Sequence, residues 1–99
     1  MRVAQRLETH AITYRVTGSG LGVVDLTYQN ANDASEQMND VAMPWTLKFN
    51  ARPGQFLYVS AQNQKQTGTV ICEILLDGVV VKTARSSGAY VIASCSGHL

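Results

Sequence analysis

Cys72 and Cys95 are the residues whose chemistry would most restrict the function of this 99-residue chain. Two thiols can form a disulfide, provide half of the ligands of a metal site or act as a redox pair. They can also be two unrelated buried groups. A four-ligand zinc site would also need His10 and His98, which lie near the two ends without ligand-like spacing. A redox pair is typical of a CxxC motif, and the sequence has none. A structural disulfide is the favoured interpretation, and two independent buried thiols remain the alternative.

The geometry of a disulfide would restrict the topology of the C-terminal strands. In a plain meander of strands 70–76, 79–85 and 89–95, the outer two strands lie about 9.6 Å apart. A disulfide needs Cα atoms within about 7 Å of each other. If the bond forms, we therefore expect the last strand to leave the hairpin and to cross to a facing sheet or pair beside strand 70–76. Closing this loop would stabilise the fold by roughly 3 kcal/mol in the chain-entropy model.

The other polar residues form no catalytic or cofactor-binding motif. No GxSxG nucleophile motif is present. The glycine-rich stretch TGSGLG joins two predicted strands, so it lacks the helix N-terminus that cradles a phosphate. Asp33, Glu36 and Asp40 do not follow a calcium-loop pattern. We therefore predict a protein that is not an enzyme and has no catalytic, cofactor-binding or metal-binding residues.

Composition and charge narrow the possible partners. The net charge is +1 and the eight Lys and Arg residues are scattered, so the chain lacks the basic patch expected of a nucleic-acid-binding protein. No apolar run approaches the roughly 20 residues that span a bilayer. The opening MRVAQRLETH has no apolar segment typical of a signal peptide. We expect contact with a membrane only through an anchor outside this sequence.

Period-two alternation predicts an all-β protein. AITYRVTG, VVDLTYQN and PWTLKFN alternate clearly, whereas FLYVSAQ has apolar residues on both faces. TVICEILL, VVVKTAR and AYVIASC complete seven strands, and a short strand near Glu36–Asn39 is an open addition. A spacing close to ten residues is typical of an antiparallel β-sandwich or barrel, and we predict a sandwich of about seven strands with an Ig-like appearance. The sequence predicts one such domain at residues 11–96, preceded by a loosely ordered lead-in at residues 1–10.

The segment LLDGVVVK predicts a hairpin. Asp77-Gly78 between apolar runs favours a two-residue type I′ turn, which needs positive φ at both positions. The resulting register has Leu76 opposite Val79, Ile74 opposite Val81 and Glu73 opposite Lys82. The last of these would be a cross-strand ion pair.

Exposed aromatic residues would indicate a ligand-binding module. Trp45 follows Pro44 and alternates with Leu47 and Phe49, which favours a core anchor over a ligand platform. Tyr58 is the better candidate for an exposed ring, because its neighbours Leu57 and Val59 compete for the inner face; Tyr90 is another.

Three segments together resemble one protein family. VAMPWTLKF resembles the Pro-Trp strand of the MmpS family, the small membrane-anchored accessory proteins of mycobacteria and related actinobacteria. VICEILLDGVVVKTARSSGAYVIASC is similar to the family's C-terminal block, with a cysteine in a strand, an Asp-Gly turn and a closing strand that holds the second cysteine. ITYRVTGSGLGVVDLTYQN is similar to its opening hairpin. The resemblance covers about residues 11–96.

The resemblance implies a β-sandwich outside the cytoplasmic membrane, normally preceded by one transmembrane helix. It also implies an accessory role beside MmpL-type (RND) exporters of lipids or siderophores, without enzymatic activity. The cysteine pair, Pro44-Trp45 and the Asp77-Gly78 turn carry over as structural features. We expect docking to a protein partner through a sheet face or edge, first around residues 30–40. The alternative is a glycan- or lipid-binding module that uses Tyr58, Tyr90 or Trp45.

Overall fold

The computed structural model describes residues 9–19 and 22–99, which form eight β-strands and no helix. The predicted lead-in at residues 1–10 lies outside the described residues up to residue 8, and its last residue, His10, begins the first strand. The strands are β1 (His10–Gly18), β2 (Val23–Gln29), β3 (Ser35–Ala42), β4 (Trp45–Ala51), β5 (Phe56–Asn63), β6 (Thr69–Leu76), β7 (Val79–Ser87) and β8 (Ile92–His98).

The strands of the described chain form two antiparallel four-stranded sheets. The first sheet has the order β4-β1-β6-β7 and the second has the order β3-β2-β5-β8. The inward-facing residues of both sheets form one hydrophobic core. The all-β class that the sequence predicts is confirmed, and two antiparallel sheets around one core agree with the predicted sandwich.

Alternation along the central strands explains the core. Ile12, Tyr14 and Val16 of β1 and Val24 and Leu26 of β2 are buried. Their neighbours in sequence point outward, because successive side chains of a strand alternate between its faces. Complete burial of a Val, Leu or Ile side chain contributes roughly 1.5–3 kcal/mol, so these positions fix which face of each strand is inside.

Packing resolves the ambiguous strand β5. Leu57 and Val59 are buried, whereas Phe56 is exposed and Tyr58 is half-buried on the outer face. Both faces of this strand are apolar in sequence, and the outward position of Tyr58 agrees with the prediction that Leu57 and Val59 compete for the inner face.

The short strand proposed near Glu36–Asn39 is a complete edge strand, β3. Seven of its eight residues are exposed, since it pairs only with β2 at the margin of the second sheet. Its register shifts between Val24 and Leu26 of β2. At this irregularity Asp40 has a φ of 57°, and its backbone N–H donates to the Asp25 carboxylate at 3.1 Å.

The predicted hairpin register is correct only at the turn. Leu76 lies opposite Val79, but Leu75 then pairs with Val80 and Ile74 with Lys82. Val81 is therefore the extra residue of a β-bulge, which is common in edge strands. The bulge moves every later pair by one residue, so the predicted pairs of Ile74 with Val81 and Glu73 with Lys82 are wrong.

Glu73 forms its ion pair with the other neighbouring strand. It lies opposite Thr83 on β7 and opposite Arg15 on β1. Arg15 Nε and Glu73 Oε1 are 2.6 Å apart. These partners lie 58 residues apart in sequence, so the local hairpin pattern points to Lys82 instead.

The last strand crosses between the sheets. β8 pairs with β5 in the second sheet, whereas β6 and β7 belong to the first. The Ser86 hydroxyl donates to the Ile92 carbonyl at 2.8 Å, which holds the crossing segment against the edge it leaves. The crossing that a bond between the cysteines would require is thus present.

Candidate functional site

The two cysteines face each other in the core. Cys72 on β6 and Cys95 on β8 are both buried, and the Cys95 thiol donates to the Cys72 carbonyl oxygen at 3.1 Å. They lie close together but not at disulfide distance, and both are free thiols in the structure. The disulfide stays a prediction, whereas the alternative of two unrelated thiols is disfavoured by their contact.

Burial suppresses the reactivity of both thiols. Desolvation raises the pKa of Cys72, and the hydrogen bond and charge of Cys95 add to this effect. Burial is also the main reason that the pKa of Cys95 is raised. Because the thiolate is the reactive form, the folded core gives these groups little nucleophilic or metal-binding character.

The two histidines have separate partners at the surface. The His10 ring lies 3.1 Å from the Asp77 carboxylate, and the His98 ring packs on Phe56 with centroids 5.2 Å apart. Among residues 9–19 and 22–99, no group of three or more His, Cys, Asp or Glu could hold a metal ion.

The Asp77-Gly78 turn is attached to the first strand. Asp77 and Gly78 have φ values of 49° and 86°, the positive values that a type I′ turn needs. The Asp77 carboxylate accepts from the Ala11 N–H at 3.0 Å, and the Asp77 N–H donates to the Ala11 carbonyl at 2.8 Å. The hydrogen bond from His10, followed by the one from Ala11, lowers the pKa of Asp77. The turn therefore joins the β6–β7 hairpin to the start of β1.

Trp45 belongs to an aromatic cluster at the margin of the core. Its ring lies 5.4 Å from that of Tyr28, and Tyr28 in turn lies 6.1 Å from Tyr14. Pro44 precedes it after a cis peptide bond. The indole is half-buried and packs against core residues, which disfavours a flat, exposed ligand platform at this position.

Tyr58 and Tyr90, the two candidates for an exposed ring, both lie on the outside. Tyr58 stacks on Phe56 with ring centroids 6.2 Å apart and an interplanar angle of 16°. Tyr90 is 52% exposed in the loop before β8. The structure separates these rings, because Tyr58 lies on the sheet face and Tyr90 at the loop end.

The loop that follows β2 is held by its own hydrogen bonds. The Asn30 side-chain oxygen accepts from the N–H groups of Asn32 and Ala34 at 2.9 and 3.0 Å. The Gln55 amide donates to the carbonyls of Asn30 and Ala31 at 3.4 and 3.3 Å. Within the predicted contact region at residues 30–40, only the first part is a loop, because β3 begins at Ser35.

Sequence reasoning missed an exposed apolar feature of the described residues, which we call the valine edge: Val79, Val80 and Val81. These residues are 65%, 41% and 47% exposed at the start of β7, which pairs only with β6. Val81 also lines an apolar cavity of about 140 Å³ between the sheets, together with Leu57 and Leu76. Three consecutive valines after a turn are the sequence signal, although by themselves they indicate only strand propensity.

Comparison with known proteins places the chain in a family. No helix among the described residues is long and apolar enough to cross a membrane. The search of curated proteins gives no match. The family model described as Mycobacterium membrane protein matches residues 2–97, nearly the whole chain. The chain therefore belongs to this family of MmpS-type mycobacterial membrane proteins.

Proposed function

We propose that this chain is a non-enzymatic accessory domain that works on the extracytoplasmic side and assists an MmpL-type (RND) exporter of lipids or siderophores. The family match over residues 2–97 is the observation that carries the proposal. A role in binding also agrees with the fold. Most of the polar groups described above form hydrogen bonds and ion pairs that hold turns and strands together, so they serve the structure rather than a reaction.

The cysteine pair supports an oxidising compartment. Cys72 and Cys95 come from different sheets and meet in the core, so a bond between them would join the two layers. Disulfides persist outside the cytoplasm and are rare within it. A small domain gains much from such a covalent link, because its core is limited.

The valine edge is the surface that we assign to the protein partner. Exposed apolar residues are typical of protein–protein contacts, and Val79, Val80 and Val81 are three consecutive exposed valines at the sheet margin. The bulge at Val81 and the charge of Lys82 interrupt the free edge, and both features guard edge strands against pairing with another strand. We therefore infer docking through side chains rather than addition of a β-strand.

Site-specific photo-crosslinking tests the proposal. A photoreactive phenylalanine replaces Val80 in the full-length protein expressed in mycobacterial cells, and crosslinked products are identified by mass spectrometry. We expect an RND-type transporter among them. Thr46 on β4 is the matched control, since it is exposed on the strand at the opposite margin of the same sheet.

The control site decides the interpretation. Crosslinking of the transporter from position 80 and its absence from position 46 would support both the role and the surface. Equal crosslinking from both positions would refute the valine edge as the docking surface. Absence of any transporter from both positions, with the protein correctly folded and located, would contradict the accessory role itself.

A further inference from the structure

The outer face of the second sheet carries a row of uncharged polar side chains. Strand pairing aligns Gln37 with Thr27, Thr27 with Ser60, and Ser60 with Ser94, so the row crosses all four strands. The order β3-β2-β5-β8 places these residues side by side at intervals of about 4.8 Å. The row thus forms a continuous surface of amide and hydroxyl groups.

This surface is concave around the row. It forms a groove of about 220 Å³. Its polar lining residues are Asp25, Thr27, Gln37, Asn39, Ser60 and Gln62. A groove that gathers several polar side chains differs from an ordinary flat sheet face, because one ligand can contact them together.

Most of these side chains have hydrogen-bonding capacity that the protein does not use. Within the described part of the chain, the side chains of Thr27, Gln37, Asn39 and Ser60 have no hydrogen-bond partner. Gln62 is held in place by donating from its amide nitrogen to the Tyr90 carbonyl at 3.1 Å, which leaves its oxygen available. Amides and hydroxyls supply both donors and acceptors, so the groove can pair with groups that do the same.

Apolar groups flank the polar groove. Ile92, which is 55% exposed, lines it beside Gln62. Tyr58 lies two residues from Ser60 on the same face of β5, about 6.6 Å away along the strand, and stacks on Phe56. A ligand on this face would meet hydroxyl and amide groups in the centre and apolar surface at both ends.

Charge separates the two outer faces of the fold. The first sheet carries the Arg15–Glu73 ion pair on its outer face. The groove on the second sheet has a single charged group in its lining, Asp25, one oxygen of which accepts from the Asp40 N–H. Because the lining contains no cation, an anionic ligand would have no counter-charge. Because it contains little apolar surface, it also differs from the apolar centre of a protein interface.

We propose that this groove binds an uncharged oligosaccharide. Sugar hydroxyls both donate and accept hydrogen bonds, which matches the unused amides and hydroxyls, and the C–H faces of the rings match Ile92 and Tyr58. The side-chain amides of Gln37 and Asn39 contact hydroxyls from β3, while Thr27 and Ser60 contact the same ligand from the centre of the sheet. This site lies apart from the valine edge and does not depend on the proposed transporter role.

NMR titration of the ¹⁵N-labelled chain with maltotriose, cellotriose and mannotriose tests the proposal. We expect at least one of these neutral trisaccharides to shift the backbone amide signals of β2, β3 and β5 in the second sheet. The double variant Gln37→Ala/Asn39→Ala should weaken that binding by roughly four- to a hundredfold, since each of the two hydrogen bonds lost lowers affinity by roughly two- to tenfold. Both residues are exposed on an edge strand, so the variant should remain folded.

Two variants on the first sheet provide the controls. Lys48→Ala on β4 and Thr83→Ala on β7 alter exposed residues away from the groove and should leave trisaccharide binding unchanged. Absence of shifts with all three sugars would overturn the proposal. So would shifts that persist in Gln37→Ala/Asn39→Ala, and so would groove signals that change with protein concentration alone, because a second copy would then occupy the face.

Discussion

The hydroxyl of Tyr14 on β1 donates a 2.7 Å hydrogen bond to the backbone carbonyl of Gln29 on β2, and thereby connects the two sheets through the core. The same oxygen accepts from the Tyr58 N–H on β5 at 3.2 Å. Burial raises the pKa of Tyr14 to about 12, so the hydroxyl stays protonated and able to donate. One side chain of the first sheet therefore satisfies two backbone groups of the second.

We expect Tyr14→Phe to destabilise the fold although it changes a single atom. Two partly buried backbone groups would lose their partner, at a cost of about 1–3 kcal/mol. Chemical denaturation measures the change. Tyr28→Phe is the matched control, because among the described residues its hydroxyl donates only to the Met38 sulfur, a weak acceptor at 3.9 Å. An equal loss in both variants would contradict the assigned role of the Tyr14 hydroxyl.

We expect an oxidant such as glutathione disulfide to form the Cys72–Cys95 bond, with two thiols losing their hydrogens as the oxidant is reduced. Joining residues 23 apart should raise the free energy of unfolding by roughly 3 kcal/mol. Denaturation with and without reductant measures this difference. The double variant Cys72→Ala/Cys95→Ala should show no effect of reductant. Two free thiols after oxidative refolding would refute the bond and weaken the inferred compartment.

We expect native thiols to resist alkylation. Burial raises the pKa of both cysteines, so at pH 8 the reactive thiolate is scarce in the reduced, folded protein. Iodoacetamide should label Cys72 and Cys95 slowly before denaturation and rapidly after it, as followed by mass spectrometry. Rapid native labelling of either residue would show that the core opens at that position.

We expect Asp77 to contribute stability that is lost in acid. The His10 and Ala11 hydrogen bonds lower its folded pKa below its unfolded value, which is about 3.9. Its contribution is therefore complete above that unfolded value and disappears as pH falls through the folded pKa. Asp77→Asn, which keeps a residue tolerant of positive φ, should remove this part of the acid dependence of the free energy of unfolding.

A direct titration separates the two contributions to the Asp77 pKa. In His10→Ala, carboxyl NMR should show the pKa of Asp77 rising toward its ordinary value while the Ala11 hydrogen bond remains. An unchanged pKa would indicate that His10 does not contact the carboxylate in solution.

We expect Glu73 to be coupled to Arg15 and uncoupled from Lys82. A double-mutant cycle with Arg15→Ala and Glu73→Ala should give a measurable interaction energy, because their side chains form an ion pair at 2.6 Å. The corresponding cycle with Lys82→Ala should give none within error. Coupling of Glu73 to Lys82 alone would restore the register that the hairpin sequence predicts.

The sequence by itself determined the strands, the inward faces of β1 and β2, the position of the Asp77-Gly78 turn and the family. These features depend on local alternation and turn chemistry, which are visible within about ten residues. The tertiary structure decided the rest. The bulge at Val81 lies within the local hairpin, but it shifts the register that turn chemistry alone predicts. The pairing of Glu73 with Arg15 depends on strands that are 58 residues apart in sequence. The groove on the second sheet has the same cause, since four separate strands must align before their polar side chains become one surface.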